Sequence, residues 1–177
     1  MMQQWELNES KVDNGMPCET AVLDAMLLDT EVPDGPGTAR SRHWVYVLVD
    51  GRSQGVLAAR LTFAASARLA LDEMLRKMHE DGLPVPPVIE VDCGRDYYDS
   101  RFKTVTETES VSIKYRSPRR CGASSAERVL RRVAMFLNAA RYPSPMTLES
   151  LFCRLAEFLE RGAQLMTNVN EHHNHVF

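Results

Sequence analysis

The first third of the chain contains three mainly apolar segments that predict β-strands. They cover residues 21–32, 43–50 and 56–63. A Pro- and Gly-rich turn signal at 33–37 separates the first two, and a hairpin turn is expected at 50–53. Because both connections are short, we expect these three strands to be antiparallel.

The hydrophobic period becomes helical between residues 65 and 81. Gly82 followed by Pro84 predicts the end of this helix. A helix after three antiparallel strands provides a crossover to a strand parallel to the first. The residues predicted to form its buried face are Ala67, Leu71, Met74, Leu75 and Met78.

The second half of the chain predicts two more short strands and three helices. In chain order these are a strand over 86–92, a short helix over 97–104, a strand over 111–115, a helix that Ser124 begins and Pro143 and Pro145 break, and a helix that Thr147 caps. Helical crossovers place the fourth and fifth strands parallel to the first. The predicted fold class is α/β, a ribonuclease-H-like five-stranded mixed sheet with flanking helices, in which the first and fourth strands are neighbours.

Composition fits one domain in a reducing compartment. The chain has 177 residues, 44% of them hydrophobic, and a formal net charge of −3. Its four cysteines form no C-x-x-C pair, which argues against a zinc site or a disulfide framework. Without a signal pattern or an apolar run long enough for a membrane span, we expect a cytoplasmic protein. We divide it into a lead-in over 1–20, a core over 21–142 and a C-terminal helical extension over 143–177.

Three acids are candidates for a metal site. Asp24 interrupts the apolar first strand, where an unpaired charge is costly. Asp92 follows the fourth strand, and Glu127 lies in the first turn of the helix after the fifth. Each has a purely structural interpretation. Asp24 is then a buried structural residue, Asp92 caps a turn, and Glu127 completes a capping box with Ser124.

The three acids resemble the Asp-Asp-Glu triad of the integrase catalytic core family, which includes retroviral integrases, phage Mu transposase and related bacterial transposases. The most specific part is Asp92-Cys93-Gly94 at a strand end, followed by a glycine and then Glu127-Arg128, with 34 residues between the two acids. The family's usual Asp-Asn-Gly has Cys93 in its centre here.

This resemblance implies a DNA transposase or integrase core, closest to the Mu-type bacterial transposases. In such a core, Asp24, Asp92 and Glu127 are catalytic and hold two Mg²⁺ or Mn²⁺ ions for DNA nicking and strand transfer. The implied partners are double-stranded DNA, both element ends and target, further copies of the chain on that DNA, and an ATPase regulator in some systems. No membrane partner is implied.

A basic segment flanks the proposed site. Between residues 114 and 132, seven basic residues accompany the single acid Glu127. Such a run is often only a solvated face, but next to a metal site it predicts contacts with the phosphate backbone of DNA. The seven are Lys114, Arg116, Arg119, Arg120, Arg128, Arg131 and Arg132.

Two other functions stay open. A ribonuclease-H-type nuclease on the same fold would use Asp24, Glu73 and Asp92, with Glu73 supplied by the first helix. A non-catalytic integrase-like module would keep the fold for binding DNA or protein. Metal-dependent cleavage separates the enzymes from the module, and the identity of the required glutamate separates the two enzymes.

Overall fold

The computed structural model of the protein describes residues 18–33, 40–63, 65–94, 97–98, 102, 110–117, 124–139 and 147–158. Several sequence-based predictions lie outside these residues. They are most of the lead-in, most of the short helix over 97–104, the proline break at 143 and 145, and the end of the C-terminal extension.

Five strands form one mixed sheet in the order β3-β2-β1-β4-β5. The first three strands are antiparallel, and β4 and β5 are parallel to β1, as the connection lengths predicted. The ribonuclease-H-like topology is therefore confirmed. The strands are β1 Thr20–Pro33, β2 Arg40–Asp50, β3 Val56–Thr62, β4 Val88–Val91 and β5 Ser112–Tyr115.

Among the described residues, three helices flank the sheet, and each begins at a hydroxyl cap. Helix α1 spans Ala67–Glu80, α2 spans Ser125–Ala139, and α3 covers 148–158. The capping hydroxyls accept hydrogen bonds from the first turn of each helix, as serine and threonine side chains commonly do. These bonds are Leu69 N–H to Ser66 Oγ, Glu127 N–H to Ser124 Oγ, and Ser150 N–H to Thr147 Oγ1. None of the described helices is long and apolar enough to cross a membrane.

The sheet separates two apolar cores, because successive side chains of a strand point to opposite faces. On one face, Leu23 and Leu48 pack with α1. On the other, Val22 and Val47 pack with α2 and α3. Asp24 follows Leu23, so alternation puts its carboxylate on the face that α2 and α3 cover.

The turn from β2 to β3 is fixed by one carboxylate and one close backbone contact. Asp50 Oδ1 accepts hydrogen bonds from the N–H groups of Arg52 at 2.6 Å and Ser53 at 3.1 Å. Gly51 N–H donates to Thr20 O at 2.8 Å, and a Cβ on Gly51 would lie 2.8 Å from that same oxygen. Glycine is therefore required here by the close approach of the start of β1.

We predict that Gly51→Ala lowers the free energy of unfolding by about 1–3 kcal/mol, because its methyl group meets a backbone oxygen that cannot rotate away. Gly55→Ala is the matched control in the same turn. Its Cβ would approach only the Ser53 hydroxyl, at 3.3 Å, which can rotate. Thermal unfolding of both variants checks this, and equal melting temperatures would contradict it.

Candidate active site

The strand register brings together residues that lie far apart in the sequence. Val22 is paired with Glu90 across the parallel β1–β4 ladder, and Val91 with Tyr115 across β4–β5. Continued to the strand ends, these registers place Asp24, Asp92 and Arg116 side by side on three adjacent strands. The strand register therefore places Asp24 next to Asp92 on neighbouring strands, which is the arrangement predicted from the strand order.

Asp24 carries a partly buried carboxylate with several neighbours. Its Oδ1 accepts a hydrogen bond from Ala25 N–H at 2.8 Å. Burial raises the pKa of Asp24 above its usual value, and the nearby charge of Asp92 raises it further. The bond from Ala25 N–H, the Arg116 guanidinium and a bond from Ser124 act in the opposite direction on this pKa. The hydrogen bonds and the positive charge around Asp24 thus offset only part of the free-energy cost of burying its ionised carboxylate.

Ser124 links the first acid to the helix that carries Glu127. Its hydroxyl lies 3.4 Å from Asp24 Oδ2 and accepts a 2.8 Å hydrogen bond from Glu127 N–H. The Ser124 side chain is buried, although it is 100 residues from Asp24 in sequence. The sequence pattern predicts Ser124 only as a helix cap. Its contact with Asp24 had no signal in the sequence, because it depends on how α2 packs on the sheet.

Glu127 lies in the first turn of α2, and its carboxylate points along the helix towards Arg131. Its Oε1 accepts a hydrogen bond from Arg131 Nη2 at 2.8 Å, and both side chains are largely exposed. Within the described parts of the chain, no three acids, histidines or cysteines are close enough together to hold one metal ion. The structure thus joins Asp24 with Asp92 and brings the start of α2 to them, while Glu127 is paired with Arg131.

The Asp92-Cys93-Gly94 segment forms the exposed rim of the site. Asp92 Oδ1 accepts a bond from Cys93 N–H at 3.0 Å, and the Cys93 thiol donates to Arg116 O at 3.0 Å. A glycine at position 94 predicts a sharp backbone turn. A turn does begin here, since Tyr97 N–H donates to Gly94 O at 3.2 Å, and in addition a Cβ on Gly94 would lie 3.3 Å from the buried ring of Tyr97.

The predicted basic residues divide into three groups. Two are paired with acids, Lys114 Nζ with Glu90 Oε1 at 2.6 Å and Arg131 with Glu127. Arg116 lies near Asp24, while Arg128 and Arg132 are exposed on α2. Arg119 and Arg120 lie outside the described residues.

Glu73, the glutamate of the alternative nuclease, lies elsewhere. Its Oε2 is 2.5 Å from Arg60 Nε of β3. Helix α1, which carries Glu73, packs on the sheet face opposite to that of Asp24.

The fold matches solved structures of integrase catalytic cores. The catalytic core domain of HTLV-2 integrase in complex with magnesium, in its dimeric form, superposes with a TM-score of 0.56 at 14% identity, covering 79% of this chain and 85% of that chain. The catalytic core domain of BIV integrase superposes with a TM-score of 0.52 at 12% identity, covering 78% of this chain and 81% of that chain.

A chain of the simian T-cell lymphotropic virus intasome in complex with PP2A regulatory subunit B56 gamma gives a TM-score of 0.61 at 17% identity. That match covers 79% of this chain and 48% of the other, so this protein spans about half of that chain's length. No protein-family model and no curated protein matches the sequence. At these identities, the likeness establishes the integrase-core type of ribonuclease-H-like fold.

We predict that Asp24→Asn raises the melting temperature at neutral pH in a chelating buffer. Because burial raises the pKa of Asp24, the ionised group destabilises the native state once the pH exceeds its unfolded value, near 3.8. The stabilisation by Asn should therefore shrink as the pH falls towards that value. Thermal unfolding across pH measures it, with exposed Asp72→Asn as the control. A stabilisation that does not change with pH would contradict the prediction.

Proposed function

We propose that this protein is the catalytic core of a DNA transposase or integrase that nicks DNA and transfers strands, with Asp24, Asp92 and Glu127 as its catalytic acids. One observation carries the proposal. The parallel pairing of β1 with β4 puts two carboxylates at one strand edge, and the helix bearing the third acid begins against the first of them.

The chemistry of the paired acids suits a hard divalent cation. Mg²⁺ is commonly bound by one or two carboxylates while waters and substrate phosphate oxygens complete its octahedron. Asp24 and Asp92 would hold such an ion, and the penalty of their mutual repulsion favours a cation between them. A second ion would require Glu127. When bound, Mg²⁺ or Mn²⁺ would activate the attacking oxygen and stabilise the leaving oxygen.

Breaking the ion pair between Glu127 and Arg131 would cost little free energy, so Glu127 could join this site. Its present ion pair with Arg131 has side chains that are 47% and 65% exposed. Exposed pairs of this kind contribute only about 0–1 kcal/mol. Because Ser124 holds the start of α2 beside Asp24, we expect a cation bound by the two aspartates to draw the Glu127 carboxylate away from Arg131.

The exposed side of α2 supports contact with the DNA backbone. Arg128 and Arg132 are one helical turn apart on a helix that begins at the acids. Among the described residues, no acid pairs with either guanidinium. Together with Arg116, they offer positive charge to phosphates in a chain whose net charge is −3. Such contacts orient DNA without reading its sequence.

The proposed partners are double-stranded DNA and further copies of this chain. The comparison structures support DNA and further copies of the chain as partners, since they include an intasome and dimeric and trimeric forms of an integrase core. The Mu-type character and an ATPase regulator rest on the sequence resemblance and remain predictions.

We predict that Glu127→Gln reduces DNA nicking and strand transfer by orders of magnitude while costing at most about 1 kcal/mol of stability, the worth of a helix cap. Glu73→Gln, which removes a charge on the opposite sheet face, should leave both reactions nearly intact. Asp24→Asn and Asp92→Asn serve as inactive references that also lose Mn²⁺ binding. The assay is cleavage and joining of labelled duplexes with Mg²⁺ or Mn²⁺.

The opposite pattern, with cleavage of an RNA–DNA hybrid and dependence on Glu73, would favour the ribonuclease-H-type nuclease. No metal-dependent cleavage by the wild-type protein, with DNA binding retained, would favour the non-catalytic module.

We predict that replacing Arg128 and Arg132 with Gln lowers the slope of log affinity against log salt by about one unit for each phosphate that the variant no longer neutralises. The affinity should fall by a similar factor for unrelated duplex sequences. Arg68→Gln with Arg76→Gln removes the same charge from α1 and is the matched control. Fluorescence anisotropy titrations at several salt concentrations measure the slope. An unchanged slope in the α2 variant would show that this helix is not the DNA face.

A further inference from the structure

A stacked pair of tyrosines lies at the carboxyl edge of the sheet, next to the candidate site. The rings of Tyr98 and Tyr115 are parallel within 1°, with centroids 4.6 Å apart. Tyr115 is the last residue of β5, and Tyr98 follows the Asp92-Cys93-Gly94 rim. Neither tyrosine has a role in the site described above.

A hydrogen bond and the packing of buried neighbours hold the tyrosine pair in position. Tyr115 Oη donates a hydrogen bond to Tyr97 O at 2.9 Å, and the Tyr97 ring is buried in an edge contact with Phe102 at 5.4 Å. The Cys93 thiol beside the Tyr98 phenol raises the pKa of Tyr98 above its usual value. Stacking on Tyr115, which is itself hydrogen-bonded to Tyr97 O, places the Tyr98 ring before any ligand binds.

Tyr98 nevertheless remains open to solvent. One of its ring faces lies on Tyr115, yet the side chain is 52% exposed. Large exposed apolar side chains are few among the described residues, and Tyr98 combines such exposure with a ring position set by stacking on Tyr115. A second flat ring can stack on the open face as Tyr115 stacks on the other.

The residues around the tyrosine pair indicate which kind of flat ring would stack on Tyr98. Tyr115 is paired across the β4–β5 ladder with Val91, which directly precedes Asp92, and the Cys93 thiol after Asp92 donates to Arg116 O at 3.0 Å. Arg116 directly follows Tyr115, and because successive strand residues point to opposite faces, its guanidinium lies on the Asp24 side of the sheet edge, where it can meet a phosphate. A nucleic-acid strand carries flat rings and phosphates at alternating positions. Inside a duplex, internal bases are stacked on both faces and the terminal pair is held by its partner strand, so an unpaired base is the one free to turn and stack on a protein ring.

We propose that Tyr98, supported by Tyr115, is a stacking platform for an unpaired nucleobase of a DNA strand that crosses the edge of the sheet at Asp92. This inference rests on the proposed function, because it takes DNA as the ligand. It adds a preference for frayed or overhanging ends over continuous duplex. Base stacking on an aromatic ring tolerates any sequence, since every base has a flat face.

The test compares two probes in a chelating buffer, where no cleavage occurs. One is a duplex with a single-stranded overhang containing 2-aminopurine, whose fluorescence falls when it stacks. The other is a blunt duplex of the same sequence. Tyr98→Ala should weaken binding to the overhang about 5- to 150-fold, the range expected for loss of one stacked base. It should abolish the fluorescence change and leave blunt-duplex affinity unaltered.

Two variants separate stacking from other causes. Tyr98→Phe keeps the ring and should behave as the wild-type protein, whereas Tyr98→Leu keeps apolar volume and should behave as Tyr98→Ala. Phe63→Ala removes another exposed aromatic ring, at the end of β3 on the opposite edge of the sheet, and should change nothing.

The outcomes distinguish this proposal from the proposed function. Equal overhang affinity of Tyr98→Ala and wild type, with salt-dependent duplex binding intact, overturns the platform and leaves the proposed function standing. Absence of binding to both probes by the wild-type protein overturns the platform together with DNA as the ligand.

Discussion

The parallel pairing of β1 with β4 is the interaction on which the candidate site depends. It joins strands that β2, β3 and α1 separate along the chain, and its register sets Asp24 beside Asp92. A slip of one residue would move Asp24 to the other sheet face. The buried alternation on both sides prevents this, because Leu23 and Val22 belong to different apolar cores. Core packing therefore fixes the position of the acids.

The same packing creates an electrostatic cost at the site. Helices α2 and α3 cover the face on which Asp24 lies, and this burial is the main reason its pKa is raised. Arg116 and Ser124 offset part of the cost, since one brings a positive charge and the other a hydroxyl donor. Under the proposed function, a site arranged in this way would gain from binding a cation, as a metal-dependent phosphoryl-transfer centre requires.

Most of the fold was accessible from the sequence because its signals are local. Apolar segments located the strands, the helical period located the buried face of α1, and Ser124 and Thr147 marked where α2 and α3 begin. Short turns and helical crossovers gave the strand directions. The reason assigned to Gly94 was incomplete, because its neighbour Tyr97 folds back onto it and this contact is not visible in a linear pattern.

By itself, the sequence determined which residues can carry chemistry: two aspartates at predictable strand positions, a glutamate in the first turn of a helix and a basic segment beside it. Only the tertiary structure decided which of them meet. It joined Ser124 to Asp24 across 100 residues, paired Glu127 with Arg131 and Lys114 with Glu90, and put Glu73 on the opposite face. The physical reason is that charge pairing and burial depend on distances in space, which strand register and helix packing set together.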